Sequence, residues 1–266
     1  MILTRTYTFI LILMSICLSS CSQDDGLAPG YKWELFKNTP NWELAKAVKQ
    51  EDTAAIFEIV KQKEIDINLQ EPKLGRSLLM LAVGNDKFNS TQALLKAGAD
   101  LNLRDSSGDQ AIHEAVRFIS LRKNSYIILK LLLENHADAN SYSENGTYTT
   151  PLVGGVTDFP CFKLLMSYGA DPYFQYSDHG FAVWIKMFID ERKDGIFAAK
   201  DLILERKMPI PNPIARSLDG RTPLDIFYFL NFEKFEEHSE KQKIKVEILN
   251  YLKEINFPAD KVYIKK

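Results

Sequence analysis

The chain of 266 residues holds three cysteines, and each has a place that argues against an intrachain disulfide. Cys17 lies in an apolar N-terminal stretch, Cys21 directly follows it, and Cys161 stands alone in Phe159-Pro160-Cys161-Phe162, the setting of a small buried apolar residue rather than a reactive thiol. A disulfide-stapled scaffold is therefore excluded, and stability must come from an ordinary hydrophobic core. No excess of one charge exists either: 33 Lys and Arg stand against 35 Asp and Glu, interspersed throughout. That pattern offers no electrostatic track for phosphates and excludes a nucleic-acid binder. The apolar run from Tyr7 to Leu18, 12 residues, falls short of the roughly 20 that span a bilayer as a helix. Histidines are few and scattered, at 113, 136, 179 and 238, with no metal-like spacing to a cysteine or a second histidine. Gly154-Gly155 lacks the spacing and lysine of a phosphate loop, and no nucleophile motif occurs. Catalysis is not expected, and neither cofactor nor metal is implied.

What is present begins at the N-terminus. Arg5 closes a short polar start, the apolar run follows, and Leu18-Ser19-Ser20-Cys21 ends it. This order is that of a secretory signal, with small residues before the cut. The segment resembles a bacterial lipoprotein signal. The resemblance implies removal of residues 1–20, acylation of Cys21 by palmitate-type chains, and a periplasmic location with the lipid in the outer membrane, surface exposure remaining open. Residues 21–38 are then expected to be the lipidated cysteine and a tether, polar and turn-rich through Gly30. Asp24 and Asp25 resemble the surface-export signal of some Bacteroidetes lipoproteins. Removal of residues 1–20 takes away one charge, that of Arg5.

Residues 39–266 repeat themselves. Gly98-Ala99-Asp100-Leu101-Asn102, His136-Ala137-Asp138-Ala139-Asn140 and Gly169-Ala170-Asp171-Pro172 are copies of one phrase, and Ile65-Asp66-Ile67-Asn68 is a fainter one. Each follows a leucine-rich helical run. A second phrase keeps step: Ser77-Leu78-Leu79, Gln110-Ala111-Ile112-His113-Glu114-Ala115, Thr150-Pro151-Leu152 and Thr222-Pro223-Leu224. Thr150 and Thr222 suit helix caps, and Pro151 and Pro223 suit the first helical position, where a missing N–H costs nothing. Gly98 and Gly169 suit the left-handed residue that ends a helix, and His136 takes that place in the third copy at some strain. The small Ala82, Ala115 and Gly155 let first helices approach their neighbours.

These phrases and their spacing resemble ankyrin repeats. The resemblance implies an all-α solenoid of about six helix pairs with short β-hairpin tips. First helices are expected near 42–50, 77–85, 110–120, 150–157, 181–190 and 222–231. The first and last units are expected to be caps, with Ile244, Ile248, Leu249, Leu252 and Ile255 on one stripe of the last helix. His113 matches a structural histidine of the family that bonds neighbouring loops.

Such a stack presents hairpin tips and first-helix faces as a binding surface. Tyr142, Tyr148, Tyr173, Phe174 and Tyr176 fall on adjacent tips if the register holds, and tyrosines are rigid interface anchors; packing beneath their own hairpins is the equal alternative. Asp105 and Asp109, with Glu144 and Asp178, are expected to make that edge acidic, and Glu114 joins the expected contact set. Insertions around Arg117 to Asn124 and Asp190 to Gly195 mark the opposite edge, as binding loops or as plain helix extensions. The expected partner is one protein, bound by a chain that is monomeric when free and held at a membrane by its lipid. Ankyrin lipoproteins of this size are similar to immunity proteins of type VI secretion phospholipase effectors, which implies neutralisation of a toxin. A periplasmic scaffold for a partner enzyme is the alternative.

Overall fold

The computed structural model describes residues 28–143, 150–175, 180–189, 194–216, 223–232 and 234–258. The chain divides into two units, residues 1–32 and 33–266. Within the described residues of the first lies one 3-10 turn, Pro29–Tyr31. Among the described residues, the second unit carries twelve α-helices in six pairs. The pairs are α1 (Trp42–Gln50) with α2 (Thr53–Val60), α3 (Leu78–Gly84) with α4 (Phe88–Lys96), and α5 (Ala111–Arg117) with α6 (Ser125–Glu134). They continue as α7 (Pro151–Gly155) with α8 (Phe159–Ser167), α9 (Ala182–Ile189) with α10 (Gly195–Lys200), and α11 (Ile226–Phe232) with α12 (Glu240–Glu254). A π-helical turn, Asp201–Glu205, extends α10.

Odd-numbered helices stack on one another in one row, and α2 on α4, α4 on α6, α8 on α10 and α10 on α12 form the other. Each unit's apolar stripe is thus closed by the next unit. Leu78 to Val83 of α3 are all buried, because α3 touches α1, α5 and its own α4. At about 1.5–3 kcal/mol for each large aliphatic side chain, such a layer supplies the stability that no disulfide provides.

The helix starts follow local chemistry. Ser77 Oγ accepts from Met80 N at 3.3 Å, Thr150 Oγ1 from Val153 N at 3.4 Å, Asp52 Oδ1 from Ala55 N at 3.0 Å, and Ser239 Oγ from Gln242 N at 3.1 Å. The glycine positions behave as their φ angles require: Gly98 at 93°, Gly169 at 82°, and His136 in the same left-handed region at 69°. Gly155 marks a close approach of helices, since a Cβ there would stand 2.6 Å from Cys161 Sγ. Cys161 itself is fully buried, and burial pushes its thiol well above the usual range.

Three expectations need correction. The segment from residue 33 to 38 is part of the fold, not tether: the 3-10 turn Trp33–Phe36 packs on α1 with both aromatic rings buried, covering the open end of the first unit. Pro223 does not open a helix. Pro223–Leu224 forms β2, paired antiparallel with β1 (Ala215–Arg216), and Asp225, directly after it, caps α11, its Oδ1 accepting from Tyr228 N at 2.9 Å. Thr222 lies outside the described residues. On α12 the stripe of Ile244, Ile248 and Leu252 is buried, whereas Ile255 follows the last helical residue and is exposed.

Candidate functional site

Between pairs the chain runs out into hairpin fingers, and a ladder of polar side chains stitches them together. Asn41 Nδ2 donates to Asp66 O at 2.7 Å, Asp100 N to Asn68 Oδ1 at 2.8 Å, and Asp171 N to Asn140 Oδ1 at 2.7 Å. A second ladder runs beside it. Gln70 Nε2 donates to Gly75 O of its own finger at 2.5 Å and to Arg104 O of the next at 2.6 Å. Arg104 Nη1 repeats the step, donating to Gly108 O at 2.9 Å and to Tyr142 O on the third finger. Gln70, Arg104 and Tyr142 occupy one register position in successive fingers, so the tips are fixed relative to one another.

The ladder ends in an aromatic step. The rings of Tyr142 and Phe174 meet across two adjacent fingers, centroids 5.4 Å apart, and Tyr142 is 37% exposed. Tyr173 turns the other way: its hydroxyl donates to Pro209 O at 2.7 Å and its ring packs near Phe181 and Trp184. Of the expected aromatic set, the structure brings Tyr142 and Phe174 together and places Tyr173 against Phe181, Trp184 and Pro209. Tyr148 and Tyr176 lie outside the described residues, as do Glu144, Asp178 and Cys21.

The acidic contribution of Asp105, Asp109 and Glu114 is corrected. All three are buried, and their carboxylates come within 4.8 Å of one another. That spacing would suit a cation, and two guanidiniums fill the role. Arg76 Nη2 lies 3.0 Å from Glu114 Oε1 and Nε 3.6 Å from Asp105 Oδ2; Arg117 Nη1 lies 2.6 Å from the same Glu114 oxygen, and its Nη2 donates to Asp109. Asp105 Oδ1 also accepts from Ser107 N at 2.8 Å and Asp109 N at 3.0 Å, holding the finger's turn. These carboxylates join units two and three instead of facing a partner. Exposed carboxylates of this edge among the described residues include Asp66, Asp100, Asp138 and Asp171, one per finger, each accepting the N–H two residues on.

His113 bridges units three and four. Its Nδ1 accepts from Gln110 N at 3.0 Å, which leaves Nε2 as the donor to Ser141 O, 3.2 Å away. Burial holds the ring below the usual histidine range, against the pull of Asp109. On the opposite edge, the turn from residue 118 to 124 is a loop and not a helix extension. It is pinned from both sides: Asn124 N donates to Asp86 Oδ1 at 3.0 Å, and Ser120 Oγ to Asp158 Oδ2 at 2.5 Å. Residues 190–193 of the other insertion lie outside the described residues.

Stacked helix pairs with stitched fingers define an ankyrin-repeat solenoid, a class of generally non-enzymatic scaffolds that mediate protein–protein binding. The family model for ankyrin repeats (3 copies) matches residues 44–145. The chain is 32% identical over 131 residues to an ankyrin repeat protein of Fowlpox virus (strain NVSL), a match covering 48% of this chain and 28% of that one. It is 39% identical over 69 residues to Inversin of Mus musculus, covering 26% of this chain and 6% of Inversin. The chain thus spans less than a third of the length of these relatives. Among solved structures, the ankyrin repeat protein EF0377 superposes with a TM-score of 0.56 at 24% identity, over 79% of this chain and 96% of that chain.

Proposed function

We propose that this protein is a lipid-anchored binding module that captures and neutralises a secreted antibacterial toxin outside the cytoplasm, with a type VI phospholipase effector as the leading candidate. The observation that carries the binding reading is the contacting Tyr142–Phe174 pair, whose two fingers are tied to their neighbours by the Arg104 and Asn140 side chains. A rigid aromatic pair loses little conformational entropy on association, and aromatic anchors dominate interface energetics. Export and anchoring rest on Leu18-Ser19-Ser20-Cys21. Neutralisation joins the two: a non-catalytic binder tethered at the membrane stands where an incoming lipase acts, and occlusion of that lipase needs one tight contact and no chemistry.

The test is co-expression. A secreted lipase encoded beside this chain is directed to the periplasm with and without the protein, and viability and co-purification are read together. Protection with a stoichiometric complex supports neutralisation. Equal viability with no complex removes it, and a complex formed instead with an exported enzyme that loses activity without this protein establishes the scaffold role.

A further inference from the structure

We infer that the finger edge takes an extended, basic protein segment with a cation at every third residue and one aromatic or aliphatic side chain seated on Tyr142 and Phe174. The inference rests on the binding reading above and names the partner's chemistry.

The apolar part of the surface is the aromatic step itself. Tyr142 is exposed and Phe174 half-buried, their rings are in contact across two fingers, and the finger beneath is fixed by Arg104. Charge surrounds it on a fixed period. Asp100, Asp138 and Asp171 open fingers two, three and four, and all three are exposed. Each places Oδ1 on a backbone N–H at 2.8 Å, that of Asn102, Asn140 and Tyr173 respectively. Those bonds hold the carboxylates still. Arg104 and His136 are the exposed basic side chains of the same described fingers, and Arg104 Nη1 already serves two carbonyls. Adjacent packed helices stand about 8–10 Å apart, and an extended chain in the polyproline II conformation turns once in three residues with a rise of about 3.1 Å each, so every third side chain returns to one face about 9 Å further on and matches one unit of the stack. A cation at every third position meets successive carboxylates in register. A helical segment, rising about 1.5 Å per residue, covers only about 4.5 Å in three residues and falls short of the next carboxylate.

The probes are three synthetic peptides: lysine at every third position around one tryptophan, the same residues scrambled, and the first peptide with glutamate for lysine. Binding to the full chain is read by fluorescence anisotropy at low and at physiological salt. The registered peptide should bind at least about fivefold more tightly than the scramble at low salt, and the glutamate peptide should not bind. Asp138→Asn with Asp171→Asn keeps both Oδ1 acceptors and therefore the turns, removes two charges, and should flatten the salt dependence. Tyr142→Ser should weaken binding at both salt concentrations. Equal affinity for the three peptides, no binding by any, or a salt dependence untouched by the asparagine pair overturns the inference. A natural partner that needs Tyr142 and Phe174 but binds without salt dependence overturns this chemistry alone and leaves the binding reading standing. Indifference of that partner to both aromatic residues removes the reading beneath it.

Discussion

The Arg104 guanidinium donates to the Tyr142 carbonyl 38 residues further along the chain, tying the second finger to the third at the place where the exposed aromatic pair begins. One nitrogen also holds Gly108 O of its own finger. Arg104→Ala removes both bonds from a side chain outside the core. Stability should fall by only about 1 kcal/mol, typical of lost hydrogen bonds near solvent, while amide exchange at Tyr142 and Ser143 quickens and partner affinity drops. Unchanged exchange at those amides would show that the fingers are held by other means.

Arg76 is the other inter-unit arginine, and its cost is of a different size. Its guanidinium faces Glu114 and Asp105 in a buried cluster of three carboxylates and two arginines. Arg76→Met leaves buried carboxylate charge uncompensated, which costs about 3–5 kcal/mol. Denaturant unfolding should show that loss, and the double variant Arg76→Met with Glu114→Gln should recover part of it.

His113 sets a pH dependence. The folded ring is held below the usual histidine range because it is buried with Nδ1 accepting from Gln110 N. The unfolded chain therefore takes up a proton near pH 6.5 that the folded chain refuses. Stability from this residue is complete above about pH 6.5 and is lost as pH falls from there through the lower folded value. Urea midpoints measured from about pH 7.5 to about pH 5 should decline, and His113→Gln should lower the upper plateau and flatten that part of the slope. A wild-type slope retained in His113→Gln would assign it to other groups.

Anchoring is tested at Cys21. On the proposed anchoring, labelling with a fatty acid should mark the wild type and not Cys21→Ala, which should remain uncut or be released from the membrane, because stable attachment needs the acyl chains this residue would carry. Equal labelling of both proteins refutes lipidation at this position.

The repeat architecture was legible because its signals are local. Asp-x-Asn at Asp66, Asp100 and Asp138, the glycines at 98 and 169, and the small Ala82, Ala115 and Gly155 each act within a few residues of where they stand, so the observed first helices fall near the expected ranges. Register places Tyr142 and Phe174 on adjacent fingers but does not separate them from Tyr173, whose ring packs near Phe181 and Trp184. The buried charge cluster did not, because it joins Arg76 to a finger and to α5 through contacts that a linear pattern leaves unspecified. Asp105 and Asp109 look like surface residues until Arg76 and Arg117 are placed beside them. Thr222-Pro223 misled for a related reason: the strand at Ala215–Arg216 captures Pro223–Leu224 by pairing, and Asp225 takes over the cap. Trp33 and Phe36 read as tether in the sequence because they precede the first repeat phrase, yet the open end of α1 needs a cover.

The most direct measurement of the binding account is the affinity of the purified partner for the wild type and for Tyr142→Ala with Phe174→Ala. Both side chains are surface aromatics at the end of the finger ladder, so the melting transition should move little. The account predicts a loss of at least about 2 kcal/mol, roughly thirtyfold in Kd, together with loss of protection in cells. A double variant that binds and protects as well as the wild type contradicts it.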